Sequence, residues 1–166
     1  MDFHSERFSY RNFEEKDEDF YVQISTHPVL MKYITGEPVS DAAAKARFQK
    51  VLAINNDATQ SGVHIVFHKE SQEYAGLSKF VFSKPGQAEI GYVLREKFWG
   101  QQMGTEISQR MVELTKVIDG VEELIALIDP ENMASKRILE KCGFEFKENG
   151  DYEGLPSATY HLMIND

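Results

Sequence analysis

Cysteine is almost missing from this sequence: Cys142 is the single one among 166 residues. That excludes an internal disulfide and suits a reducing compartment. No apolar run approaches the roughly 20 residues needed to span a bilayer. The N-terminal "MDFHSERF" lacks the apolar centre of a signal peptide. A cytoplasmic protein with no membrane partner is expected. Basic residues are also scarce, 18 Lys and Arg against 27 Asp and Glu, for a formal net charge of -9. Such a surface argues against direct nucleic-acid binding, which needs cationic groups facing phosphates. It admits a cationic substrate, because an acidic surface draws amines, while solubility alone accounts for most of the charge.

What is present fits one soluble domain, residues 1–166, with 42 % apolar residues to form its core. "RFSYRNF" (7–13) puts Phe8 and Tyr10 on one face of a strand. "EEKDEDFYVQIS" (14–25) reads as a helix with acids at its positive end, stopped or bent by Pro28. Ser40-Asp41 can cap a second helix whose stripe is Ala44, Phe48, Val51 and Leu52. Residues 62–68 and 73–82 read as a hairpin across "KESQ", Lys84-Pro85-Gly86 as a turn, and "AEIGYVL" (88–94) as the next strand. From Gly104 the residues Ile107, Met111, Leu114 and Ile118 share a helix face. "ELIALI" (123–128) reads as a buried strand, and Asp129-Pro130 as a turn. A further helix from about Asn132 carries Ile138 and Leu139 inward and ends at Gly143. "FEFK" (144–147) and "SATYHLMI" (157–164) complete the strands. Strand, helix and buried strand in succession predict a right-handed crossover between parallel neighbours, hence an α/β fold with a mixed sheet.

The stretch "FWGQQMGTE" (98–106) lies between the strand ending near Leu94 and the helix beginning near Gly104. A helix start offers unpaired N–H groups and partial positive charge, and phosphates bind there without a basic side chain. Many strand-to-helix turns with two glycines bind nothing, so this stretch alone leaves both readings open. His64 and His68 share a strand face, but no third ligand accompanies them, and no metal is expected. Cys142 reads as a buried apolar residue, since a nucleophile would need a placed histidine.

Together, "EIGYVLREKFWGQQMGTE" and "DPENMASKRILEKCGFEF" resemble the coenzyme A core of the GNAT superfamily of N-acetyltransferases. With "VLMKYITGEPVS" and "YAGLSKF" they resemble more narrowly its Rim-type branch, which acetylates ribosomal-protein N-termini. The resemblance implies a mostly antiparallel mixed sheet flanked by helices and splayed between its fourth and fifth strands. It implies acetyl-CoA as cosubstrate, with the loop Trp99, Gly100, Gln101, Gln102, Met103, Gly104 and Thr105 holding the phosphates. Trp99 occupies the first motif position and Gly104 the last. Gln102 replaces the middle glycine, at little cost if its φ is negative and at roughly a kcal/mol if positive. The pantetheine arm is implied to pair with Tyr92, Val93 and Leu94, where a main-chain N–H would stabilise an oxyanion.

Asn132 is implied to touch the pantetheine, although capping the helix explains it equally. Lys136 and Arg137 are implied to approach the nucleotide phosphates, or are simply exposed helix charges. Many relatives carry a tyrosine acid where Leu139 stands here; the Rim-type pattern implies Ser135 instead. An amine must lose a proton before attack, and Glu89 is the candidate base, or else a charge on an exposed strand face. The implied reaction is direct attack of a primary amine (a protein N-terminus, a polyamine or a small amine) on acetyl-CoA. The alternative is a coenzyme A-binding module of the same fold with little or no turnover. The acceptor is not identified by the sequence, and a monomer and a homodimer are equally open.

Overall fold

The computed structural model describes residues 2–57 and 61–164. Eight strands form one sheet in the order β1-β2-β3-β4-β5-β6-β8-β7. They are β1 (Asp2–His4), β2 (Phe8–Asn12), β3 (Gly62–His68), β4 (Tyr74–Lys84), β5 (Gly86–Leu94), β6 (Val121–Ile128), β7 (Glu145–Tyr152) and β8 (Leu155–Met163). Only β5 and β6 run parallel, joined through helix α4 (Met103–Glu113); every other pair is antiparallel. The expected class therefore holds. The short strand β1 shifts the numbering, so the expected splay between the fourth and fifth strands lies between β5 and β6.

Helices α1 (Glu18–Ser25), α2 (Pro28–Met31) and α3 (Asp41–Asn55) cover one sheet face. Their core contains Ile24, Leu30, Phe48, Val51, Ile65 and Tyr74. The other face packs α4 and α5 (Met133–Lys141) over Phe8, Phe80, Ile90, Ile107, Met111 and Leu124. Strand alternation sends Ile90, Tyr92 and Leu94 of β5 toward α4 and Val93 toward α1–α3. Ser40 caps α3 as expected, its hydroxyl accepting from the Ala43 N–H at 3.2 Å.

One local reading needs correction. The helix expected over 14–25 is a 3-10 turn at Glu15–Asp17 followed by α1. That helix stops at its Thr26 cap, two residues before Pro28, with His27 extended as a following proline requires. Pro28 also opens α2, a position where its missing N–H costs nothing.

His64 lies in the core, edge-on to Phe3 and 3.4 Å from the Ser78 hydroxyl. Burial pushes its imidazole down to about 3, whereas an unfolded histidine titrates near about 6.5. The folded chain thus holds the neutral form. The associated stability is complete above about pH 6.5 and declines as pH falls toward 3, by up to about 1.4 kcal/mol per pH unit. Urea denaturation midpoints should drop between pH 7 and pH 5, and His64→Gln should flatten that drop. Equal pH slopes for the two proteins would remove His64 as its cause.

Candidate active site

The site begins where two strands separate. β5 and β6 pair from Gly86 opposite Val121 to Glu89 opposite Ile125, with one register shift between Gly86 and Gln87. Yet β5 continues to Leu94 and β6 to Ile128. Beyond Glu89 the facing edges diverge, and their main-chain N–H and C=O groups have no strand partner on that side. Unpaired main-chain groups at this depth call for a partner of their own. A cavity occupies the opening, walled by Ile90, Gly91 and Tyr92 of β5 and by Ala126, Leu127 and Ile128 of β6. It reaches Ser108 and Met111 of α4 and Asn132, Ser135 and Leu139 at α5. It also reaches Tyr33 and Ile34, which follow α2 on the opposite face. It therefore passes through the sheet.

The loop after β5 leads directly into α4. Gln102 stands at φ +57°, ψ 17°, in the left-handed region. That decides between the two costs: the glutamine carries the strain that a glycine there would avoid. The first bond closing onto this end is Glu106 N–H to Gln102 O at 3.1 Å. The N–H groups of Met103, Gly104 and Thr105 precede it, at the positive end of the helix. The side chains of Met103 and Thr105 are buried, so what these residues offer a ligand is main chain. Gly100 is at φ +74°, and a Cβ there would meet open space, so a ligand can approach its backbone.

A brace that the sequence did not advertise fixes this loop. The Glu106 carboxylate, in the first turn of α4, accepts from the Ser5 hydroxyl, the Arg7 N–H at 2.7 Å and Arg7 Nε at 2.6 Å. Arg7 also donates to the Gln101 carbonyl at 2.9 Å. Burial opposes the charge on Glu106, but the bonds from Ser5 and Arg7 outweigh it and hold the carboxyl below its usual range. Trp99 is about half exposed, and its indole N–H donates to the Leu94 carbonyl at 2.8 Å. That carbonyl is already taken, and the Val93 carbonyl faces Gly76 of β4, which leaves Tyr92 as the freer main chain of the three.

Asn132 caps α5, its side-chain oxygen accepting from the Ser135 N–H at 3.2 Å. Ser135 and Tyr92 line the cavity together, and burial pushes the Tyr92 phenol up to about 12. Leu139 is buried in the core, and no hydroxyl stands in its place. Lys136 and Arg137 lie on the outer part of α5, Arg137 exposed. Glu89 lies off the cavity wall, where the splay begins, with its carboxylate bonded by Lys79 Nζ. The Lys79 chain crosses Gly91, within 3.0 Å of where a Cβ would sit. Burial raises the Cys142 thiol to about 11, consistent with an apolar role. Among the described residues no cluster of three His, Cys, Asp or Glu side chains could hold a metal, and no helix is long and apolar enough to cross a membrane.

Free helix-start N–H groups, an approachable loop backbone and an unpaired strand edge leading to a cavity fit a diphosphate joined to an extended, amide-bearing arm. The model of the acetyltransferase (GNAT) domain matches residues 7–145. The chain belongs to the GNAT acetyltransferase family. As a member it is an acetyl-CoA-dependent N-acetyltransferase. It is 28 % identical over 155 residues to the uncharacterized N-acetyltransferase p20 of Bacillus licheniformis, covering 90 % of this chain and 86 % of that one. Its fold is similar to a Salmonella typhimurium acetyltransferase that modifies the N-terminal serine of ribosomal protein L7/L12, with a TM-score of 0.80 at 18 % identity, covering 97 % of each chain. It is also similar to the Vibrio cholerae spermidine N-acetyltransferase in complex with CoA and spermine, with a TM-score of 0.77 at 15 % identity, covering 95 % of each.

Two changes test the loop. Glu106→Gln should cost about 1–3 kcal/mol at pH 7, the worth of hydrogen bonds to a charged group. Because the folded carboxyl is held low, that stability is present above about pH 4.3 and is lost as pH falls through the folded value. The gap between mutant and wild type, followed by thermal or urea unfolding, should close in acid; a gap independent of pH contradicts the brace. Gln102→Gly should raise stability by up to about 1 kcal/mol, through relief of the left-handed glutamine. It should keep or strengthen binding of coenzyme A by calorimetry. A large loss of affinity would show that the glutamine amide itself holds the ligand.

Proposed function

We propose that this GNAT enzyme binds acetyl-CoA along the open edge of β5 and transfers the acetyl group to a primary amine that enters through the mouth near Tyr33 and Ile34. The observation that supports this reading most is the end of β5–β6 pairing at Glu89 and Ile125. It opens the sheet beside the start of α4. The phosphates lie against the N–H groups of Met103, Gly104 and Thr105, beside Trp99, Gly100, Gln101 and Gln102. Lys136 stands within reach of the nucleotide end. The pantetheine arm runs along Tyr92, Val93 and Leu94, pairing through the main chain of Tyr92, and contacts Asn132. The cavity, about 90 Å³, holds the reacting acetyl end and not the whole coenzyme.

In this reading the chain's own residues place the thioester and exclude water. A main-chain N–H of β5 faces the carbonyl oxygen as charge develops on it. Glu89 is the candidate group for the amine proton, directly or through water. Ser135 faces the departing sulfur. The acceptor carries at least one positive charge in solution, in keeping with the chain's net charge of -9. A protein N-terminus and a polyamine are the two acceptor classes that the structural relatives suggest. The enzyme works in the cytoplasm as a monomer or homodimer and needs no metal.

The test is acetyl transfer from acetyl-CoA to an amine panel of ribosomal-protein N-terminal peptides, spermidine and simple amines, alongside thermal unfolding with coenzyme A. Coenzyme A should raise Tm, since a ligand stabilises the state it binds. One acceptor class should turn over well above the others. No Tm shift at millimolar coenzyme contradicts the binding assignment. A clear shift without turnover of any amine would favour a coenzyme A-binding module.

A further inference from the structure

We propose that the acceptor of this enzyme carries a single positive charge, on the reacting amine, with an uncharged body behind it, and that Lys32 enforces this by holding its ammonium over the Tyr33 ring at the mouth of the cavity. The inference rests on the acetyl-transfer reading above and narrows its acceptor.

A diamine or polyamine brings a second ammonium a few methylenes behind the reacting one. Against a protein wall that charge needs a carboxylate or an aromatic face; without either it gives up water for nothing. Among the described residues every side chain on the cavity wall is uncharged. Tyr33 and Ile34 are exposed and line the cavity where it opens on the α1–α3 side. The Tyr33 ring is the aromatic group at that mouth, but Lys32 Nζ stands 5.0 Å from its centre. The ring that would receive an ammonium already carries one, and the two charges repel.

The carboxylates around the mouth are answered in the same way. By strand alternation Glu89 and Gly91 share the face of Val93, the one covered by α1–α3. Lys79 Nζ bonds the Glu89 carboxylate, and the Lys79 chain lies across Gly91 on the cavity wall. Gly36, just past Ile34, faces a Leu155 methyl 3.9 Å from where its Cβ would sit, so the β7–β8 hairpin borders the same mouth. In the turn of that hairpin the Glu153 carboxylate is 3.9 Å from Arg47 Nη2 of α3. Asp129 follows the wall residue Ile128, but its Oδ1 accepts from the Glu131 N–H at 2.8 Å, and neither acid lines the cavity. The net charge of -9 draws an amine from a distance. At the mouth, the chain's own cations leave a second ammonium little to pair with. Tyr33 and Ile34 instead suit an apolar or neutral body, which a simple alkylamine and an uncharged peptide N-terminus share.

The test measures kcat/KM for acetyl transfer with two acceptor pairs that differ by one positive charge. One pair is butylamine and diaminobutane; the other is the amidated tripeptides Ala-Leu-Ala and Ala-Lys-Ala. The wild type should prefer the singly charged member by about tenfold, and added salt should shrink that preference, because exposed charges are screened. Lys32→Ala should remove most of the preference and Lys32→Glu should abolish or reverse it. Comparing variants within a pair cancels differences in amine basicity and in the number of reacting ends. The preference seen with the peptide pair alone supports the inference with a peptide acceptor; seen with the alkylamine pair alone, it supports a small-molecule one. A wild type that turns over the doubly charged members as well as their partners overturns the inference and leaves the transfer reading standing. A wild-type ratio kept by Lys32→Glu overturns the role of Lys32. No turnover of any acceptor while coenzyme A still raises Tm overturns the transfer reading, and this inference with it.

Discussion

Everything in this site depends on an unmet requirement of the backbone. Parallel pairing of β5 with β6 stops at Glu89 and Ile125, although both strands continue. Beyond that point the strands expose main-chain donors and acceptors in the middle of a sheet whose other neighbours are paired. A sheet interior normally satisfies such groups with another strand. Here the gap is held open by packing: α4 and α5 fill one face with Ile107, Met111 and Leu139, and α2 and the residues after it border the other. An extended ligand with amides of its own is what the gap can pair with.

The phosphate loop shows how such a site tolerates an unfavourable residue. Gln102 adopts a conformation that suits glycine, and strain of about a kcal/mol persists only where surrounding contacts fix the backbone. The contacts from Ser5 and Arg7 to Glu106, and from Arg7 to the Gln101 carbonyl, provide that fixing from the far end of the chain. A negative charge one turn into α4 would otherwise work against an anionic ligand. With Arg7 against it, much of that charge is answered within the protein.

The sequence made much of this legible, for identifiable reasons. Residues 88–94, 104–118 and 123–128 carry periodic apolar patterns because both faces of the central sheet are buried, and these are the elements that frame the site. The edges were less legible. β7 has every residue exposed, so no alternation marks it, and the expected strand 144–147 was too short. Asn149-Gly150 is the strongest local turn signal there, yet both residues lie within the strand opposite Ala158 and Ser157. The turn falls at Glu153-Gly154, both at positive φ. In the site itself, motif spacing located the loop and Asn132, but no pattern could give the sign of φ at Gln102. Contacts between distant elements were equally silent: Arg7 with Glu106 and Lys79 with Glu89.

The central claim is that the open edge of β5 is completed by the coenzyme. Amide hydrogen exchange of the protein with and without coenzyme A tests it most directly. The account predicts new protection at the Ile90 and Tyr92 amides, which face the open edge, and at the first turn of α4, with Gly91 and Val93, which face β4, and Gln87–Glu89, already paired on both sides, unchanged. Protection confined to other elements, or none along β5 at saturating coenzyme, would contradict it.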